Sequence, residues 1–269
     1  MAARMRSRSS AEPETDPEGL TNPRQRLDLW SGTLTSSFEC AGQQIRVTTV
    51  ADPHHARVAF RIESELLASG LAGVVLRFPY ASDGFFQTSD WTSPDKHESK
   101  LELLGERAGR IGRVLDDTTY AVRLDWTEGA LSATEEPHEF ELTGSANTLE
   151  LVVGFSSDES GGELGSGTFA SVADAAAAWW RDFWTSGAAV DFAGSTNPRA
   201  AELERRVVVS QYLTAVNSSG SLPPQESGLV ANSWFGKFHL EMHWWHGAHF
   251  AAWGRPSCSP AAWTGICPS

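Results

Sequence analysis

From Gln25 to about Ser156, apolar and polar positions alternate in short runs, the two-residue period of half-buried strands. Gly32 to Phe38, Gln44 to Val50, Ala56 to Ile62, Val74 to Phe78, Tyr120 to Trp126, His138 to Leu142 and Thr148 to Phe155 carry the alternation. Turn formers separate them, among them Asp52-Pro53, Ser82-Asp83-Gly84 and Thr143-Gly144-Ser145. Many short strands at this spacing predict a large antiparallel sandwich.

Beyond the acidic Gly/Ser stretch Ser157 to Ser166 the period changes. Ser171 is placed to cap a helix through ADAAAAWWRDFW, with Ala175, Trp179 and Phe183 on one face and Trp180 and Trp184 beside it. A second helix is predicted from Pro198 to about Val216, with Leu203, Val207, Val208, Tyr212 and Leu213 along its apolar side. After a loop from Asn217 to Phe238, a third runs from about His239 to Trp253. The expected organisation is α+β with two domains: a disordered leader over 1–24, a β-sandwich over 25–166 that is incomplete at its start, a linker helix region over 167–197, the start of a helical domain over 198–256, and a frameshifted tail over 257–269.

Composition narrows the partners. A formal charge of -13 argues against nucleic acid, whose phosphates call for a basic face. Met1 to Ser10 holds arginines with no apolar stretch behind them, and no run approaches membrane-spanning length, so a cytoplasmic protein is expected. Cys40, Cys258 and Cys267 have neither metal-ligand spacing nor the makings of a disulfide framework, and no cofactor motif is present. Oligomeric state is not legible.

The candidate chemistry concentrates in Ser221 to Arg255, which holds four of the eleven Trp and four of the eight His. Flat apolar rings beside His, Lys, Glu and Asn suit a polyhydroxylated ligand, so a carbohydrate site is the first reading. Glu241 is the single carboxylate between Gly228 and Ser269, within a helical turn of Lys237, His239 and His243. It suits hydrogen bonding to sugar hydroxyls or proton transfer, and alternatively a structural ion pair with Lys237 or a His. Trp234, in the loop, is the better stacking platform. Of the adjacent Trp244 and Trp245, at least one is assigned to the core, while Trp253, Trp179 and Trp180 read as packing. A metal reading of His239, Glu241, His243, His246 and His249 is open, but Leu240 stands where a zinc protease has its Glu. The aromatic and acidic run Asp83 to Lys96 reads as a sandwich hairpin tip, or as a loop reaching toward the helical domain.

The tail after Arg255, PSCSPAAWTGICPS, breaks the helical period. With suitable codons, a frame shifted by one base gives ELLARSLDWYLP, an amphipathic helix, and Trp263-Thr264 forces Asp in that frame. A frameshift after Pro256 is expected.

Residues Gln211 to Arg255, with the PPQES loop, the SWFGKFHLEMHWWH block and the closing AAWGR, resemble six-hairpin glycosidases of the clan that holds maltose, kojibiose and trehalose phosphorylases. RQRLDLWSGTLTSSF, RIESELL and RFPYASDGFF look like that family's sandwich. The resemblance implies a β-supersandwich followed by the first helices of an (α/α)6 toroid. It implies inverting cleavage of a glycosidic bond, assisted by a general acid Glu, with water or phosphate as acceptor. Carried onto this sequence, it makes Trp234, Lys237, His239 and Glu241 sugar-contacting candidates, with Glu241 entered as the catalytic candidate. His243, Trp244 and the weaker Glu226 join them as substrate contacts for an oligosaccharide or glycoside. The likeness takes in only two toroid helices, so an inactive fragment lacking the general acid is expected. A non-catalytic carbohydrate-binding sandwich module is the alternative.

Overall fold

The computed structural model describes residues 2–5, 19–85, 88–157, 165–220, 223–229 and 234–255. The expected frameshifted tail and most of the expected leader lie outside these residues. In chain order the elements are β1 (Ala2–Met5), β2 (Thr21–Asp28), β3 (Thr33–Cys40), β4 (Gln43–Ala51), β5 (Arg57–Glu63), α1 (Glu65–Ala68), β6 (Ala72–Arg77), β7 (Tyr80–Ala81) and β8 (Ser89–Asp90). They continue with β9 (His97–Gly105), β10 (Ala108–Leu115), β11 (Thr118–Trp126), β12 (Ala130–Ala133), β13 (Glu139–Thr143), β14 (Thr148–Ser156), α2 (Phe169–Thr185), α3 (Ala200–Ser218) and α4 (Leu240–Ala252).

Two compact units result: Met1–Tyr80 with Asp90–Trp180, and Ala81–Ser89 with Arg181–Ser269. The first is a β-sandwich. Its larger sheet has the order β2, β3, β4, β5, β14, β11, β10, β9, and its smaller one β1, β6, β13, β12. The alternation that predicts the strands also sorts their faces. Leu149, Leu151 and Val153 of β14 join Val122, Leu124 and Trp126 of β11 against Val74, Leu76, Phe140 and Leu142 of the smaller sheet. Each such side chain contributes about 1.5–3 kcal/mol by leaving water. Val152 points the other way, and with Val50 and Ala59 it packs on Phe169 and Val172 at the start of α2.

The α2 cap differs from the expectation. Thr168 is the cap: its hydroxyl accepts from the Ser171 amide at 3.1 Å, and the Ser171 hydroxyl accepts from the Thr168 amide at 3.1 Å. Ser171 therefore sits inside the first turn as the reciprocal half of a capping box. The buried stripe is Phe169, Val172, Ala176, Trp180 and Phe183, one step round from the predicted face. Gly32 is the counterpart of Trp180. It adopts φ +67, and a Cβ there would meet the indole Nε1 at 2.1 Å, so only glycine fits.

In the second unit, α3 buries Gln211, Ala215 and Ser218; of the predicted apolar side, Val207, Val208 and Tyr212 are half-buried and Leu203 and Leu213 exposed. A polar requirement accounts for the burial of Gln211. Arg255, 2% exposed, donates from Nη1 to Gln211 Oε1 (3.1 Å), from Nε to the Ser186 carbonyl (2.9 Å) and from Nη2 to the Ala188 carbonyl (3.1 Å). Its guanidinium also lies 4.3 Å from the Phe183 ring centroid. A buried cation needs such partners, and Gln211 is one of them. No helix among the described residues is long and apolar enough to cross a membrane.

Candidate functional site

The SWFGKFHLEMHWWH block folds as a turn, a short extended piece and a helix. Trp234, Phe235 and Gly236 adopt successive left-handed conformations, with φ of 49°, 62° and 67°. Non-glycine residues in that region cost about 1–3 kcal/mol each, and such strain concentrates at functional sites. Its structural effect is to turn two aromatic side chains outward. Both are exposed, Trp234 at 44% and Phe235 at 45%.

Phe85, from the Ala81–Ser89 segment of the same unit, fastens this turn. The Phe235 amide donates to the Phe85 carbonyl at 3.1 Å. The Phe85 ring meets Trp234 edge-on at 4.9 Å and Phe235 at 5.2 Å. Of the run Asp83 to Lys96, the part up to Ser89 thus belongs to the helical unit and the rest to the sandwich. The strand pair that encloses the first part is β7 with β8, and a short 3-10 turn, Pro94–Lys96, leads the second into β9. Phe85 was not a candidate from sequence, since nothing local ties it to a turn so far along the chain; the Gly84-Phe85-Phe86 step, apolar inside a turn, was the available signal.

Lys237 places its ammonium 5.7 Å from the Phe235 centroid. Phe238 bridges to Gln225, bringing the PPQES loop alongside. His239 precedes α4, half-buried, with its ring 5.6 Å from Trp234. Its Nε2 is buried with no hydrogen-bond partner among the described residues.

Along α4 the buried residues are His243, Gly247 and Phe250, at steps of four and three. His243 lies with its ring 5.9 Å from Phe238. His246, half-buried, is held below its usual range by burial, against the raising effect of a hydrogen bond to the Glu226 backbone, while His243 lowers it further. Glu226 therefore reaches α4 through its backbone. The opposite side of the helix exposes Leu240 (67%), Trp244 (63%) and Trp245 (65%), so neither tryptophan of the pair fills a core. The helical phase set by His243 and Phe250 excludes both.

Glu241 is exposed in the first turn of α4, where the helix N-terminus favours a carboxylate. Among the described residues it takes part in no ion pair, with Lys237 or with a histidine. Trp234, Lys237 and His239 thus form one cluster; His243 and Glu226 meet around His246; Glu241 and Trp244 stand on the exposed side of α4. Among the described residues no three His, Cys, Asp or Glu come together as metal ligands.

No family model and no curated protein matches the sequence. Among solved structures, a protein assigned as a kojibiose phosphorylase from the human microbiome is similar, with a TM-score of 0.54 and 13% identity over 84% of this chain and 34% of that one. A bacterial glucoamylase complexed with acarbose is similar with a TM-score of 0.57 and 10% identity, over 95% of this chain and 42% of that one. At these identities the likeness establishes the fold, an α+β chain in which a large antiparallel sandwich precedes helices. The chain spans well under half the length of either neighbour.

Proposed function

We propose that this chain supplies sugar-holding residues of a carbohydrate-active enzyme of the six-hairpin glycosidase type, at the start of its (α/α)6 toroid. One observation carries the reading: a strained left-handed turn exposes Trp234 and Phe235, with the Lys237 ammonium over the Phe235 ring and, next to Trp234, His239, whose Nε2 has no hydrogen-bond partner among the described residues. A pyranose has an apolar C–H face and a rim of hydroxyls. The Trp234 ring takes the face, the Lys237 ammonium donates to a hydroxyl oxygen, and His239 Nε2 exchanges a hydrogen bond with another.

Glu241, exposed and without an ion pair, is the carboxylate available to accept hydrogen bonds from the sugar. The reaction class is cleavage of an O-glycosyl bond with inversion, in which a general acid protonates the leaving oxygen and water or phosphate attacks from the opposite face. We assign this chain the grip on the sugar and place the general acid outside it, so the chain alone binds without turnover.

The test is calorimetric titration of the full chain with acarbose and with kojibiose. Saturable binding weakened by both Trp234→Ala and Glu241→Gln is expected. Binding weakened by Trp234→Ala but indifferent to Glu241→Gln favours the non-catalytic binding module. No binding to either ligand, or binding that ignores Trp234, overturns the sugar site.

A further inference from the structure

The sandwich unit has a cavity of its own, about 320 Å³, lined by Phe78, Trp91, Asp90, His97, Glu136 and His138 together with Arg77 and three prolines. That volume lies at the small end of ligand sites, roughly 300–1000 Å³. Trp91 is 58% exposed, a large indole left in water at the cavity wall.

Beneath the lining lies a fixed hydrogen-bond network. Arg113, 1% exposed, donates from Nη1 to His97 Nδ1 at 2.9 Å and to the Ser99 hydroxyl, and from Nη2 to the Pro79 carbonyl at 3.0 Å. Ser99 Oγ meets His138 Nδ1 at 2.8 Å, and His138 Nε2 donates to the Pro94 carbonyl at 2.8 Å. The two imidazoles stack with centroids 3.6 Å apart. An arginine can only donate, so His97 Nδ1 must accept, and the neutral ring carries its proton on Nε2. His97 is 7% exposed, and this N–H has no protein acceptor among the described residues. Burial first, then His138 and Arg113, lower its pKa to about 4, so it stays a neutral donor at physiological pH.

The charges lining the cavity are of both signs, two carboxylates and the Arg77 guanidinium. Asp90 is held in a turn by the Thr92 amide at 2.8 Å and the Thr92 hydroxyl at 2.7 Å, and Glu136 lies in the lining opposite. Of the cations, Arg77 donates from Nε to Glu139 at 2.5 Å, and Lys96 sits 5.4 Å from the Tyr80 centroid with its charge acting on Asp90. A phosphate or carboxylate ligand would meet Asp90 and Glu136 beside the one lining cation, already paired with Glu139. An organic cation suits the carboxylates and the indole but offers no acceptor to the His97 N–H. Hydroxyls both donate and accept, and a sugar ring brings an apolar face for Trp91.

We propose that this sandwich pocket is a second binding site, for a neutral sugar ring, in which Trp91 stacks, Asp90 and Glu136 accept from hydroxyls, and the His97 Nε2–H donates. It shares no residue with the helical site.

The experiment follows the His97 imidazole nitrogens by NMR in the full, histidine-labelled chain. The probes are methyl α-glucopyranoside, tetramethylammonium and inorganic phosphate, each added to the wild type and to Trp91→Ala, Asp90→Asn and Trp234→Ala. A saturable His97 shift is expected with the glucoside alone, weakened about tenfold by Trp91→Ala and also weakened by Asp90→Asn. It should persist in Trp234→Ala. Trp91 is exposed, so its loss leaves the fold, and unchanged His97 and His138 signals without sugar confirm that. No saturable shift with the glucoside, an equal or stronger response to tetramethylammonium or phosphate, or indifference to Trp91→Ala overturns the proposal. Loss of acarbose binding with the His97 response intact would remove the helical reading alone.

Discussion

Replacing Arg255 by Met retains most of the stem's bulk and removes the fork. Three acceptors, Ser186 O, Ala188 O and Gln211 Oε1, lose their charged donor, and Phe183 loses the cation on its face. Hydrogen bonds to charged groups contribute about 1.5–3 kcal/mol each, and a desolvated cation over a ring about 2 kcal/mol. These terms do not add, because the stranded acceptors partly rehydrate and methionine fills part of the space. Removing one partner of a buried charged network costs about 3–5 kcal/mol, and that is the expected loss for the helical unit. Amide hydrogen exchange reports it locally: α3 and α4 should exchange about a hundredfold to a few thousandfold faster. Arg255→Lys, which keeps a point charge without the planar fork, should fall between. Exchange in Arg255→Met within about tenfold of wild type would refute the clamp.

Three further outcomes follow from the sandwich and the turn. Gly32→Ala sets a methyl against the Trp180 indole at a left-handed position, so the melting temperature should drop by several degrees, as differential scanning fluorimetry would register. His97 is lowered in the folded protein from 6.5 to about 4, so the unfolded chain binds more protons between these values. Stability should then fall as pH drops through that window and level off below it; urea midpoints that stay flat from pH 6.5 to 4 in the wild type, or that still slope as strongly in His97→Gln, would contradict this. Phe85→Ala removes the ring that both turn aromatics meet, so Trp234 fluorescence should shift toward that of a solvated indole, with the sandwich melt unchanged.

The strands legible from sequence were those with one apolar face and clear turns, such as β4, β5 and β14. β9 and β10 escaped for a physical reason. The inward positions of β10 are Gly109, Ile111 and Arg113, and β9 exposes Leu103 and Leu104, so neither shows the apolar-in, polar-out signature. Arg113 in a core is intelligible only once His97, Ser99 and Pro79 surround it, and those partners come from elsewhere in the chain. Likewise, α3 carries a readable apolar side that is only half-buried, while the buried Gln211 serves Arg255. At the candidate site, the block of aromatics and histidines was evident, and its clustering of Trp234 with His239 is local. Phe85, supplied across most of the chain, was not, and neither was the exposure of Trp244 and Trp245, which depends on which side of α4 His243 and Phe250 claim.

The Ala81–Ser89 segment makes the helical unit discontinuous in sequence. A recombination event or an engineered swap that exchanges the sandwich at Trp180 would carry Phe85 away with it and leave the Trp234 turn with a foreign partner. The stacking platform is therefore inherited jointly by two stretches of gene. Chimeras should retain it only when residues 81–89 travel with the helices, as a transplanted hairpin, whatever the origin of the sheets.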